Sequence, residues 1–296
     1  MTAAYKRYGE WMELRLPRHI STDEPPGENV AAQLGIPPKL WARLQREGGV
    51  ETDGRRLRLR LFPRQSPGFE PEWHNIDILF EDDFCLVAAK PAGMPVHPAE
   101  RGRGGTLANA VAWHYEASGQ ETAVRHIHRL DADTTGPVLY AKNELALAVL
   151  DEAMRRKHIG RTYVAFVHGS IEQERIRIDA PIGRDRHHAG KRRVSPGGDP
   201  AVTLVETLER FGDASLVRLT LETGRTHQIR VHMSHTGHPL LGDALYGGST
   251  SRIGRQALHG EALAWPHPFG GETVRVEAPW PDDLLRLAGR LRRTAK

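Results

Sequence analysis

Apolar and polar positions along the chain sort into short alternating runs and a few stretches of helical period. Leu57, Leu59 and Leu61 alternate with arginines, the pattern of a half-buried strand. Asp77-Ile78-Leu79-Phe80 and Phe84-Cys85-Leu86-Val87-Ala88-Ala89 read as two strands joined by the acidic turn Glu81-Asp82-Asp83, and Lys90-Pro91-Ala92-Gly93 breaks the second. Val138-Leu139-Tyr140-Ala141 predicts a strand entering the core. Further strands are predicted over 162–167, 175–179, 201–208, 216–222, 257–264 and 273–278. Helices are predicted from Thr106 to about Ala117, from Thr226 to about Ser234, and from Pro281 to Arg293. Another follows Asn143, a good N-cap, with Ala146, Val149, Leu150, Ala153 and Met154 at helical spacing and Gly160 as its stop.

Hairpins, long loops and a few helices predict an α+β fold with a mixed, largely antiparallel central sheet and flanking helices. Residues 1–70 read as a separate small unit: short helices over 29–34 and 38–46, a turn at Gly48-Gly49, then a hairpin signalled by Asp53-Gly54. Pro63, Pro67, Gly68 and Pro71 mark a linker, and the main domain occupies 75–296.

Composition narrows the class. With 296 residues, 39% hydrophobic and 26% charged, the chain is globular, not disordered. No apolar run approaches the roughly 20 residues of a membrane helix. The first 17 residues mix acids with bases and have no apolar core, so they do not read as a signal peptide. Cys85 is the single cysteine, which excludes an internal disulfide and a Cys-rich zinc site. A cytoplasmic protein is expected. The net charge of +4 is weak evidence for a nucleic-acid partner. Clustering says more: Arg155-Arg156-Lys157, and Arg184, Arg186, Lys191 and Arg192 within the loop 183–199, concentrate charge as phosphate binding requires. The first cluster also suits the C-terminal end of a helix, where cations complement the dipole.

The chemistry concentrates in residues 126–142, HIHRLDADTTGPVLYAK. A carboxylate beside an arginine, on a turn ahead of a buried strand, is a place to hold a nucleophile rigidly, although a salt-bridged structural turn has the same local sequence. Residues 101–105, RGRGG, lack the Lys-Ser/Thr of a phosphate-cradling loop and read as a flexible cover. His232, His235 and His238 are close in sequence but have no partner at zinc spacing, so no metal is expected.

HRLDADTTG (128–136) resembles the signature of the RluA-type pseudouridine synthases. KPAGMPVHP (90–98), RTYVA (161–165), PIGRD (181–185), PAVT (200–203), GRTHQIRVHM (224–233) and GDALYGG (242–248) resemble that family's other motifs, in its order. The resemblance implies the family's cleft-bearing fold, isomerisation of uridine in RNA, and no cofactor, because no atoms or electrons are gained or lost. It implies Asp131 as the catalytic carboxylate, Arg225 as its charge partner and Tyr163 against the base. Arg129 would fill the space left by an extruded base, Ile229 would wall the pocket, and His128 would orient the catalytic loop. Thr135 stands where the family usually has serine, keeps the hydroxyl, and is expected with Arg129, His128 and Ile229 at the substrate. The basic loop would clamp an RNA backbone, and the N-terminal unit resembles, weakly, a small RNA-binding domain. Ribosomal RNA is the favoured substrate, with transfer RNA as the alternative, and a monomer is expected. Two other functions fit the residues: an RNA-binding protein without catalysis, and an N-glycosidase using Asp131.

Overall fold

The computed structural model describes residues 4–16, 27–53, 55–100 and 102–294. Gly54 of the expected hairpin turn and Arg101 of the Gly-rich loop lie outside the described residues.

The N-terminal region begins with β1 (Tyr5–Tyr8) and β2 (Trp11–Arg15), continues through α1 (Glu28–Gln33) and α2 (Pro38–Arg46), and returns as β3 (Val50–Asp53) and β4 (Arg56–Leu59). Its sheet runs β1-β2-β4-β3, antiparallel throughout. The β1–β2 hairpin escaped the sequence reading, although Met12 and Leu14 alternate just as Leu57 and Leu59 do. The register sets Met12 opposite Leu59 and Leu14 opposite Leu57, and all four are buried. Pro38 opens α2, where its missing N–H costs nothing, and Trp41 and Leu44 of α2 join the same core.

That core continues without a break into Phe84, Val87 and Leu139 of the main domain. Tyr5 packs edge-on against Phe84 and Phe269, with centroids 5.6 and 5.5 Å away. Its hydroxyl donates to Asp83 at 2.9 Å, and Arg7 donates to the other oxygen of that carboxylate at 2.7 Å.

Beyond the linker lie a four-stranded and a six-stranded sheet. The first, in the order β5-β6-β8-β7, contains β5 (Asp77–Glu81), β6 (Cys85–Lys90), β7 (Arg125–His126) and β8 (Gly136–Ala141). Helix α3 (Leu107–Ala117) begins at Thr106, whose side chain accepts from the Asn109 N–H while Asn109 accepts from the Thr106 N–H, a reciprocal cap. Leu107, Val111 and Tyr115 of α3 pack with Leu86, Val138 and Tyr140, while Val87 and Leu139 belong to the other core. Apolar cover on both faces explains the unbroken apolar runs of β6 and β8.

Helix α4 (Glu144–Arg155) leads to the second sheet, six strands in the order β10-β13-β14-β9-β15-β16. These are β9 (Gly160–His168), β10 (Arg175–Asp179), β13 (Val202–Arg210), β14 (Ala214–Leu221), β15 (Leu258–Pro266) and β16 (Thr273–Glu277). Between β10 and β13 stands a separate ribbon of β11 (Ile182–Arg184) and β12 (Arg192–Val194). Helix α5 (Gln228–His235), a single 3-10 turn (Ala244–Tyr246) and α6 (Asp282–Thr294) complete the chain.

Every ladder among the described residues is antiparallel; the one parallel pairing is a single bridge between Thr135 and His259. That bridge joins the two sheets, and it fixes the loop that precedes β8. Gly136 sits there at φ +133°, and a Cβ would fall 2.6–2.7 Å from the Gly260 backbone. Glycine is required for this crossing, which puts residues 127–135 at the seam.

Three local expectations are corrected. Helix α4 ends at Arg155, with Lys157 in the left-handed conformation (φ 61°), and Gly160 begins β9 instead of stopping the helix. The loop 183–199 is a folded hairpin, with the Asp185 carboxylate accepting from the His187 and His188 N–H groups at 2.8 and 3.1 Å. The Gly-rich segment is tied down, since the Gly105 N–H donates to Glu72 at 2.7 Å.

Candidate active site

A cleft of about 340 Å³ opens at the seam, lined among others by His128, Arg129, Asp131, Thr134, Arg161, Tyr163, Arg225, His227, Ile229, Arg230 and Leu258. The size lies at the small end of the roughly 300–1,000 Å³ typical of ligand sites, room for little more than one nucleoside. Three segments distant in sequence converge: the turn before β8, the start of β9, and the loop entering α5.

Asp131 stands on the turn, its side chain 26% exposed, with one oxygen toward the protein. Arg230 Nη1 donates to Asp131 Oδ2 at 3.0 Å. The same guanidinium holds Asp243 through both oxygens, at 2.7 and 2.9 Å. Asp243 is buried, so the Arg230–Asp243 fork is a fixed base from which Arg230 presents one N–H to Asp131. Burial opposes the Arg230 charge, but the two carboxylates outweigh it and raise its pKa. Tyr246 lies beneath, with its ring centroid 4.9 Å from the Arg230 guanidinium carbon.

This overturns the pairing expected of Arg225. Arg225 lines the cleft, but its Nε donates to the Pro200 carbonyl at 3.1 Å, and its side chain is not bonded to Asp131. The cause is where the helix starts. Thr226 was expected to open it, but α5 begins at Gln228, after His227 in the left-handed conformation. The Gln228 carboxamide accepts from the Thr223 hydroxyl and the Arg225 N–H, and donates to Val202 O and Thr203 Oγ1. This pins the loop so that Arg225 stays outside the helix while Arg230, in its first turn, points inward.

Tyr163 is nearly buried in the cleft wall, packed with Ile229 and Leu258. Burial raises its pKa, with Arg161 opposing and Asp131 adding to the effect, so the phenol is neutral near pH 7. Ile229 serves the wall and the core at once. Arg129 is exposed at the cleft and has no hydrogen-bond or ion-pair partner among the described residues. Arg161 likewise lines the cleft with its Nε buried and unpartnered.

His128 is buried, and its Nε2 accepts from the Leu139 N–H at 3.3 Å. Burial, then the nearby Arg161 charge, push its pKa down to about 3, so it is a neutral anchor tying the turn that carries Asp131 to β8. Thr135 does not face the cleft. It is buried, its hydroxyl bonded to His259 Nδ1 at 2.8 Å, and Thr134 lines the cleft in its place. His232 is also structural, 2.8 Å from Thr203 Oγ1 and 2.9 Å from the Ala180 carbonyl.

Arg184 and Arg186 are exposed on the β11–β12 hairpin, and Lys191 extends over the Tyr246 ring at 5.4 Å. The Arg192 N–H donates to the Tyr246 hydroxyl at 2.9 Å, which seats the hairpin beside the site.

Sequence reasoning gave no role to Lys90, Asp243, Tyr246 or His227. Lys90 is buried at the end of β6, and its ammonium donates to the carbonyls of Pro91, Met94 and Ala132 at 2.6–2.7 Å. Burial pushes its pKa down to about 7, yet three acceptors use all three ammonium protons, and the charged form fits the site. Lys90 thereby clamps the carbonyl next to Asp131. The usable signal was that both Lys90 and Asp243 fall inside motifs, and that a second arginine, Arg230, lies five residues beyond Arg225.

A carboxylate held at a seam by an arginine, under an aromatic and an aliphatic wall, places an anionic group in a cleft of small-ligand size. Residues 84–235 match the family described as RNA pseudouridylate synthase, and the chain belongs to that family, in its RluA-type branch. An uncharacterised RNA pseudouridine synthase of Bacillus subtilis is 47% identical over 239 residues, covering 79% of this chain and 78% of the relative. Ribosomal large subunit pseudouridine synthase D of Vibrio vulnificus is 42% identical over 238 residues, covering 75% and 72%. Among solved structures, human RNA pseudouridylate synthase domain containing 1 aligns with a TM-score of 0.60 at 27% identity, covering 76% of this chain and 98% of that one. The chain is accordingly an RNA pseudouridine synthase, an isomerase.

Proposed function

We propose that the enzyme acts on a uridine of large-subunit ribosomal RNA, with Asp131 as nucleophile on a nucleotide turned out of its stack. The observation that carries the chemistry is the Asp131–Arg230 contact of 3.0 Å at the base of the cleft. The ribosomal substrate is supported by relatives that bear the name ribosomal large subunit pseudouridine synthase D.

The reaction breaks N1–C1′, turns the uracil, and joins C5 to C1′; the proton on C5 leaves and N1 gains one, so the mass is unchanged. An ionised Asp131 attacks the sugar or takes up its proton while the base turns. Arg230 holds that carboxylate through Oδ2 at 3.0 Å. Tyr163 stacks on the freed uracil over Ile229. Extrusion costs a few kcal/mol, and Arg129, which has no partner to leave among the described residues, fills the gap. The hairpin residues Arg184, Arg186, Lys191 and Arg192 engage the RNA backbone, and the protein acts as a monomer.

The test is tritium release from C5-labelled uridine in ribosomal RNA. Asp131→Asn is expected to release none above background, and mapping pseudouridines in cells with and without the gene is expected to lose a large-subunit site. A loss confined to transfer RNA would contradict the substrate assignment, and abasic product of lower mass would contradict isomerisation.

A further inference from the structure

His227 occupies a position that suits glycine. Its φ of 58° and ψ of 20° lie in the left-handed region, which side chains adopt reluctantly. Only one other non-glycine residue among the described residues has a positive φ, Lys157 at the end of α4. A strained residue facing a reaction cleft points to a function for the side chain.

The imidazole has two ends with different surroundings. Nδ1 lies 2.9 Å from the Tyr246 hydroxyl. That hydroxyl accepts the Arg192 N–H at 2.9 Å and keeps its own proton free to turn toward Nδ1. Nε2 faces Asp131 Oδ2 at 3.9 Å. With Nδ1 accepting, Nε2 carries the proton and points it at a carboxylate; the opposite tautomer would set a lone pair against that charge. Burial lowers the His227 pKa, with Asp131 and Asp243 opposing and Arg230 and Arg192 adding to the effect, which suits the neutral ring.

Arg230 and His227 both address Oδ2. No described residue donates to Oδ1. We infer that His227 is a positioning residue, its tautomer set by Tyr246, which with Arg230 holds Oδ2 of Asp131 so that Oδ1 is the oxygen that reacts. The inference rests on the reading of Asp131 as nucleophile and adds which oxygen acts and what aims it. At 3.9 Å the Nε2–Oδ2 contact is electrostatic and is not a hydrogen bond.

The experiment compares His227→Gly, Tyr246→Phe, their double variant and Asp131→Asn in steady-state tritium release, each beside its thermal midpoint. Glycine relieves the left-handed strain, so His227→Gly is expected to melt no lower than the parent. Its kcat is expected to fall by about ten-fold or more while KM for RNA changes by less than about three-fold. Added imidazole is expected to restore part of that kcat, which no purely structural role would allow. Tyr246→Phe is expected to lower kcat less, and to cause no further loss in the His227→Gly background. A kcat within about two-fold of the parent, a loss carried by KM alone, or a kcat loss that imidazole leaves untouched would overturn the inference. In those cases an inactive Asp131→Asn keeps the nucleophile reading intact, whereas an active Asp131→Asn sinks that reading itself.

Discussion

The base of the cleft and the β11–β12 hairpin are both rich in arginine, and they use it in opposite ways. At the base, Arg230 is paired: it holds Asp243 with two donors, Asp131 with a third, and rests on Tyr246. On the hairpin, Arg184, Arg186, Lys191 and Arg192 form no ion pair among the described residues. A paired cation shapes the protein's own reactive group. An unpaired one stays ready for a charge that the protein does not supply, and a phosphate backbone is the partner proposed for it above. The end of α4 shows that density alone is uninformative, because Arg155 and Arg156 both fall back on Glu152, at 2.5 and 2.6 Å.

The largest effect is expected at the base. Arg230→Ala leaves Asp243 a buried carboxylate without its partner, a loss of about 3–5 kcal/mol of stability, and abolishes turnover. Arg230→Lys keeps the charge but not the fork that bridges two carboxylates, and kcat is expected to drop by about a hundred-fold or more. Arg225→Ala, by contrast, is expected to cost less than about ten-fold, since its Nε serves only the Pro200 carbonyl. Equal losses at 225 and 230 would erase the distinction drawn here.

Next in size is the hairpin. Replacing Arg184, Arg186 and Lys191 by alanine is expected to weaken RNA binding by roughly ten-fold near physiological salt, with kcat at saturation preserved. The slope of log affinity against log salt should flatten by about 0.7–0.9 for each phosphate contact removed. The matching change at α4, Arg155 and Arg156 to alanine, is expected to leave binding within about two-fold, since surface pairs contribute little. A salt slope that flattens equally in both variants would contradict the contrast.

The smallest effect is expected far from the cleft. His267 pairs with Asp82 at 2.7 Å; burial lowers its pKa, but the carboxylate outweighs burial and the net shift is upward. A raised folded pKa means the stabilisation is full below the unfolded value of about 6.5 and is lost as pH rises through the folded value. The stability advantage of the parent over His267→Gln should therefore shrink as pH rises above about 6.5, read from denaturant midpoints, while RNA affinity stays the same. An advantage that grows with pH would reverse the assignment.

The sequence was most informative where local signals and motifs coincide. Asn143 caps its helix as read, Thr106 stands at the start of the next one upstream, β6 and β8 are buried on both faces, and the turn carrying Asp131 opens on the cleft. It was least informative where a partner far along the chain decides. Both arginines of GRTHQIRVHM are plausible partners for a carboxylate; the left-handed His227 and the buried Asp243 select Arg230, and neither is visible as a local pattern. Lys90 looks like a strand-end lysine bound for solvent, and only the folded loop supplies its three carbonyls. The hairpin at 182–194 reads as loop because a two-stranded ribbon has almost no buried face to impose alternation. The Met12–Leu14 alternation occupies a single five-residue strand, too short to stand out.

The most direct test is single-turnover tritium release from C5-labelled uridine in ribosomal RNA by Asp131→Asn, beside the parent and with RNA binding measured in parallel. The account predicts RNA affinity within a few-fold of the parent and no tritium above background. Release at the parental rate by a variant that lacks the carboxylate would contradict it.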